Sequence, residues 1–270
     1  VELHALLPGV LVGFSLGLTG GGGAIFAVPL LVYWLHVAPR DAVGVSLAAV
    51  AATSLIGFFA RWRKGLVEIP TGLIFAAAGM LGAPLGGWLS SYIPDPVLLL
   101  SFSGLMAVVA WRMWNKSPQP TLNLVMPCDD DHGPTCRRDP EGKLRWTSRC
   151  ASLLMVVGLA TGVLSGMFGV GGGFVIVPAL IAFSGMGMQR AVGTSLMVIT
   201  LIGVSGVSFH LLGGREIPLQ LTGVFVAGGI LGLLAGQRLA LRLSGTTLQR
   251  TFAIAIIFVA MFVITKTLWT

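Results

Sequence analysis

A chain of 270 residues that is 55% hydrophobic and 10% charged, with a mean hydropathy of +0.90, is too apolar for a water-soluble domain of ordinary composition; it reads as an all-α integral membrane protein. Its formal charge of +7 would suit nucleic acid, but the basic residues sit mainly at the ends of apolar runs and in one polar loop, where lipid headgroups and topology account for them. Nucleic-acid binding is therefore set aside, and the positive excess weakly favours an anionic small molecule.

No basic segment with a cleavage site precedes Leu6, so no leader peptide is expected. The first apolar run, Leu6 to His36, is longer than the roughly 20 residues that span a bilayer. It is interrupted by Gly20-Gly21-Gly22-Gly23, and consecutive glycines, each about 1 kcal/mol worse than alanine in a helix, break it. The run is either one long interrupted helix or a helix plus a re-entrant segment. Pro39-Arg40-Asp41 ends it, and a second span, Ala42 to Ala60, is closed by Arg61-Trp62-Arg63-Lys64. Glu68-Ile69-Pro70 opens a third span running to Ser90, with Pro70 suited to a first helical turn and Glu68 to the positive end of the dipole. A fourth runs from Pro96 to Trp114.

Residues 116–149 are polar, carry half of the acidic residues and form a linker. Cys128 and Cys136 flank Asp129-Asp130-Asp131-His132 there, in a spacing that matches no closed zinc pattern; these two with Cys150 make no disulfide framework, and thiols in a cytoplasmic loop should stay reduced. The plan then repeats: a broken run from Ser152 to Phe183, interrupted at Gly169-Val170-Gly171-Gly172-Gly173, and spans at Ala191 to Leu212, Pro218 to Gln237 and Thr247 to Lys266. The expectation is about eight transmembrane spans in two homologous halves, residues 1–115 and 150–270, each beginning with a Gly-rich broken helix.

A constant offset of 149 carries Gly13, Gly17, Gly20, Gly22, Gly23, Val28, Pro29 and Leu31 onto Gly162, Gly166, Gly169, Gly171, Gly172, Val177, Pro178 and Leu180. It continues without a gap from Ala42-Val43-Gly44 and Ser46-Leu47 to Ala191-Val192-Gly193 and Ser195-Leu196. Glu216-Ile217-Pro218 repeats Glu68-Ile69-Pro70, and the small residues Gly79/Ala83/Gly87 resemble Gly228/Gly232/Gly236, faces suited to close packing. If each broken run crosses once, the halves are parallel and Arg61, Arg63, Lys64, Arg112, Lys116, Arg215 and Lys266 share a cytoplasmic side, with Arg40, Arg190, Arg238, Arg242 and Arg250 opposed. If each turns back on itself, the halves are inverted.

A break in a buried helix leaves N–H and C=O groups unpaired, which a bilayer tolerates only beside protein or an aqueous cavity. Half-helices starting near Ala24 and Phe174 would aim positive dipole ends at an anion. The backbone at Gly20, Gly22, Gly23, Gly169, Gly171, Gly172 and Gly173 is the expected anion site, with hydroxyls from Ser46, Thr194 and Ser195. The plainer alternatives are close helix packing for the glycines and carbonyl bonding for the hydroxyls. Gln237 and Arg238 are candidates for attracting the anion, with snorkelling as the alternative. No nucleotide-binding loop occurs and no cofactor or metal is expected, which leaves a carrier coupled to protons or another ion, or a facilitator, with Asp41, Glu68, Glu216, His36 and His210 as titrating candidates. Gly203-Val204-Ser205-Gly206 also matches the G-x-S-G of intramembrane serine proteases, but Ser205 and His210 stand about 140° apart around one helix, which disfavours an enzyme. A passive anion channel shares the sequence features of a carrier.

The two glycine runs leading into Val-Pro, each followed by an Ala-Val-Gly-x-Ser-Leu element, resemble the sulfite exporter TauE/SafE family over both halves. The resemblance implies a bacterial inner-membrane permease that exports sulfite or small organosulfonates. Val45, where the second half has Thr194, and the acidic cysteine-containing linker depart from the family's pattern.

Overall fold

The computed structural model describes residues 3–94, 97, 98, 100–105, 148–169, 172–214, 218–240, 257, 261 and 265. Among these residues the chain is helical and contains no strand. The first apolar run divides into α1 (Leu6–Thr19) and α2 (Ala24–Tyr33). Gly20 ends α1 in the left-handed region at φ 76°, a conformation that costs a residue with a Cβ about 1–2 kcal/mol. Next come α3 (Pro39–Trp62), with Pro39 and Asp41 in its first turn, and α4 (Ile69–Ser90), opened by Pro70. Residues 97, 98 and 100–105 are also helical. The second half supplies α5 (Ser148–Phe168), α6 (Gly173–Ser184), α7 (Met188–Leu212) and α8 (Leu219–Ala240).

Among the described residues five helices, α3, α4, α5, α7 and α8, are long and apolar enough to cross a membrane, and α1 and α2 are shorter apolar helices. At 24 residues α3 is about 36 Å long, enough for a hydrocarbon core of about 30 Å. Large apolar side chains such as Leu81, Val156, Leu212 and Leu219 face outward, and Trp34, Trp62, Trp88 and Tyr92 lie exposed near helix ends, the distribution of a lipid-facing surface with interfacial aromatics. The spans expected at 96–114 and 247–266 lie largely outside the described residues, and the linker almost wholly so.

Helix directions follow from close contacts. Gly9, Gly13 and Gly17 of α1 press on the carbonyls of Phe225, Gly229 and Leu233 of α8, so the two helices run parallel. Gly158, Gly162 and Gly166 of α5 press in the same way on Phe75, Gly79 and Ala83 of α4. Helices α3 and α7 are antiparallel: Gly44 meets His210, Leu47 meets Gly206, Ala51 meets Gly203 and Gly57 meets Leu196. Helix α8 runs with α3, and α4 runs with α7. One set, α1, α3 and α8, therefore points one way, and α4, α5 and α7 point the other.

Because α1 and α3 share a direction with only α2 between them, α2 must carry the chain back. Gly23 accordingly lies against Val12 and Leu16 rather than farther along the axis of α1. Each broken run turns back on itself, and positions related by the offset of 149 run in opposite directions. This decides between the two topologies that the sequence leaves open. It also corrects the charge partition: the ends of α3 and α8 and the start of α7 lie together, so Arg61, Arg63, Lys64, Arg190 and Arg238 share one end, while Arg40 lies at the other.

Two smaller corrections concern register and sulfur. The equivalents of Gly79, Gly82 and Gly86 are Gly229, Gly232 and Gly236, an offset of 150, so the pairing of Gly79/Ala83/Gly87 with Gly228/Gly232/Gly236 is one residue out of step. Helix α7, at 25 residues, is one longer than α3 at 24, while the two connections that follow them are of equal length, which matches the shift. Cys150, at the start of α5, is buried and disulfide-bonded, contrary to the expectation that the cysteines make no disulfide; its partner lies outside the described residues.

Candidate functional site

The two re-entrant turns meet tip to tip. Gly21 and Gly173 are in backbone contact, and no side chain fits between them. The contact lies beside Ile199, near the middle of the 25-residue α7, and therefore at mid-depth of the helical layer. Gly20, Gly22, Gly23, Gly172 and Gly173 are all buried, and no side chain caps the start of either α2 or α6. A capless helix start presents N–H donors and the positive end of the dipole. Gly171 lies outside the described residues.

Each turn is fastened by a serine from the opposite half. Ser46 of α3 donates its hydroxyl proton to the Gly169 carbonyl at 2.6 Å, and Ser195 of α7 donates to the Gly20 carbonyl at 2.7 Å. These bonds are equivalent under the offset of 149, as are the contacts of Gly169 with Val43 and of Gly20 with Val192. The sequence proposed both serines as donors to a ligand; in this arrangement their protons go to the backbone, so they hold the turns in place. Ser195 is also within reach of the Val192 carbonyl, at 2.9 Å.

Thr194 points elsewhere. Its Oγ1 accepts the Glu68 backbone N–H at 2.9 Å and so joins the start of α4 to α7. Glu68 is half-buried and accepts a hydrogen bond from Thr71 at 2.6 Å. Asp41 and His36 are exposed, His36 in a left-handed turn at φ 53° after α2. His210 is buried with its ring against Gly44. Gln237 is half-buried and donates to the Gly57 carbonyl at 3.4 Å, whereas Arg238 is exposed. Glu216 lies outside the described residues. None of the described titrating candidates touches the tips.

Three side chains that the sequence reading missed are buried with unpaired atoms: the hydroxyls of Ser54 and Ser165 and the Nε of Arg61. Ser165 lies beside Gly172 at the second turn, where a Cβ added to the glycine would come into contact with the serine's own Cβ. The offset aligns Ser165 with Leu16, and Arg61 with His210. A hydroxyl where the other half has leucine was the available signal for Ser165. For Arg61 it was a basic residue at the same place in both halves. At the first turn the corresponding polarity comes from Thr19, whose Oγ1 accepts the Gly22 N–H at 3.0 Å and donates to the Ser15 carbonyl at 2.8 Å. Ser205 donates to the Met80 carbonyl at 2.8 Å across to α4, so its proton is held by a backbone oxygen. A small apolar cavity beside the second turn is lined by Val28, Pro39, Val43, Leu98, Phe102 and Phe168 and offers nothing to an anion.

Two facing re-entrant turns within a layer of apolar helices define a polytopic membrane protein of transporter type. The family described as sulfite exporter TauE/SafE matches residues 5–263, and the chain belongs to it. It is 38% identical over 262 residues to a probable membrane transporter protein of Xylella fastidiosa strain Temecula1, covering 95% of this chain and 92% of that one. It is 29% identical over 200 residues to the probable membrane transporter protein YdhB of Bacillus subtilis, covering 73% of each. A probable membrane transporter protein of Haemophilus influenzae is 26% identical over 276 residues, with 96% of both chains covered. No solved structure reaches a significant match.

Proposed function

We propose that this membrane transporter carries a small sulfur oxyanion, sulfite or an organosulfonate, through a site formed where the two re-entrant turns meet. The observation that carries the reading is the backbone contact of Gly21 with Gly173 at mid-depth, between two capless helix starts. An oxyanion needs several N–H or O–H donors and positive potential without a fixed charge so strong that release fails, and paired helix starts meet that need. Family membership supports the sulfur chemistry. Ser46 and Ser195 keep the turns in register, and Ser165, buried and unpaired beside Gly172, adds a hydroxyl donor.

Opposite orientation of the two halves is the arrangement that lets one site open alternately to two sides, since rocking one half against the other exchanges equivalent conformations. The absence of a nucleotide-binding loop from the sequence favours a carrier coupled to an ion or running downhill. The basic end of the molecule faces the cytoplasm of a bacterial inner membrane in this reading.

The test is uptake of sulfite, sulfate, thiosulfate and sulfoacetate by the purified chain in liposomes, with Ser165→Ala as the comparison. Removing an unpaired buried hydroxyl leaves the melting temperature unchanged or raised. If that hydroxyl binds substrate, the apparent KM should rise about threefold to tenfold. Uptake of none of these anions by the folded wild type would remove the sulfur-oxyanion reading, and saturable counterflow would separate a carrier from a channel.

A further inference from the structure

Arg61 lies in the last turn of α3 and is only 4% exposed. Its Nη1 donates to the neutral Oε1 of Gln189 at 3.0 Å, its Nε has no partner, and no carboxylate among the described residues pairs with it. A guanidinium keeps its charge and offers five N–H donors, so most of its capacity is unspent here, and a buried charge without a counter-charge is unfavourable. Headgroup contact does not explain it: the neighbouring Arg63 and Lys64 are exposed and take that role, while Arg61 is turned inward.

Two further positions on the same face of α3 lie inward of Arg61. Gly57, four residues inward, bears the carbonyl that accepts the Gln237 amide, and its bare Cα lies against Leu196, the neighbour of the serine that fastens Gly20. Ser54, about 10 Å inward of Arg61 along the axis, is fully buried with an unpaired hydroxyl. Positions 54, 57 and 61 share one helical face. At the opposite end of the molecule the equivalent position is His210, 7% exposed against Gly44, so each end holds a buried basic side chain at the same point of the repeat.

We propose that Arg61, with Gln189 beside it and Ser54 below it, is an oxyanion docking site at the basic end of the molecule, on the face of α3 that runs inward toward the level of the first re-entrant turn. The planar fork takes two oxygens of the anion, and the anion supplies the counter-charge that no described residue provides. The proposal rests on the anion-transport reading and adds to it a second station, remote from the glycine tips.

The experiment is a thermal-shift titration of the full chain in nanodiscs of zwitterionic lipid with sulfite, sulfate, thiosulfate, phosphate and nitrate, for wild type, Arg61→Lys and Arg61→Gln. The expected result is saturable stabilisation of wild type by at least one oxyanion, weakened at least about tenfold in Arg61→Gln and less in Arg61→Lys, with anion-free Arg61→Gln melting no lower than wild type. An apparent Kd for Arg61→Gln within about twofold of wild type would overturn the site, as would stabilisation by none of the oxyanions. A lower anion-free melting temperature in Arg61→Gln with unchanged affinity would make Arg61 structural. Arg61-dependent stabilisation by anionic lipid alone would assign the contact to headgroups and overturn the site. Liposome uptake by wild type is read separately, so sulfite transport with an unaffected Arg61→Gln would sink this site and leave the transport reading standing.

Discussion

Ser46 and Ser195 illustrate how one hydroxyl serves two demands. Buried in an apolar layer, each needs an acceptor, and each re-entrant turn exposes a glycine carbonyl that needs a donor. Pairing them across the halves satisfies both at once. Ser46→Ala and Ser195→Ala should each lower stability by about 1 kcal/mol, because a buried carbonyl is left unpaired, and the two losses should be similar because the sites are equivalent. Denaturation of each purified variant in a mild detergent checks this; a loss confined to one of them would break the equivalence. Thr194 shows the limit of reading such residues from sequence. Adjacent to Ser195, it turns about 100° around the helix and serves the start of α4 instead.

At the scale of the helix, glycine sets how closely the two halves interlock. Parallel pairs α1 with α8 and α4 with α5 are built by glycines whose missing Cβ admits the partner's carbonyl. An added methyl at Gly13 or Gly162 has no flexible side chain to displace, only backbone. Gly13→Leu and Gly162→Leu should therefore separate the helices and abolish a folded, monodisperse protein in size-exclusion chromatography. Gly223→Ala in the same α8 meets nothing within 4 Å and should raise stability by up to about 1 kcal/mol through helix propensity alone. A destabilised Gly223→Ala would mean that this face of α8 is occupied in the membrane. Helices α3 and α7 cross at the centre, and their candidate spans are the most buried of the five, which suits elements that hold the turns rather than face lipid.

For the whole molecule, the inverted relation gathers Arg61, Arg63, Lys64, Arg190 and Arg238 at one end. Among the described residues this basic end follows the positive-inside rule, whereas the single-crossing topology splits these residues between two sides. The disulfide at Cys150 lies at that same end and points the other way, since the cytoplasm keeps thiols reduced. We expect charge to set the orientation. Lys64→Cys and Arg238→Cys should then resist a membrane-impermeant maleimide in intact cells while Arg40→Cys reacts. Reaction at Lys64→Cys with Cys150 protected would place the basic end outside the cell.

Composition, the length of the apolar runs and the spacing of glycine and proline by themselves determined a helical membrane protein, the starts of α2 and α4, and the equivalence of the two serines at an offset of 149. These are local or periodic properties, written in propensity and hydropathy. What no local rule carries is direction. Whether the chain after Gly23 continues across or doubles back depends on which surface buries α2, and Val12 and Leu16 of the preceding helix supply it only in the folded molecule. Long-range partners decided the rest: serine protons given to glycine carbonyls far away in the chain, the one-residue register shift of α8 against α4, and an arginine at a span end that reads as an interfacial charge yet is buried by α7. Burial and hydrogen-bond pairing are properties of neighbours in space, and only tertiary structure fixes who those neighbours are.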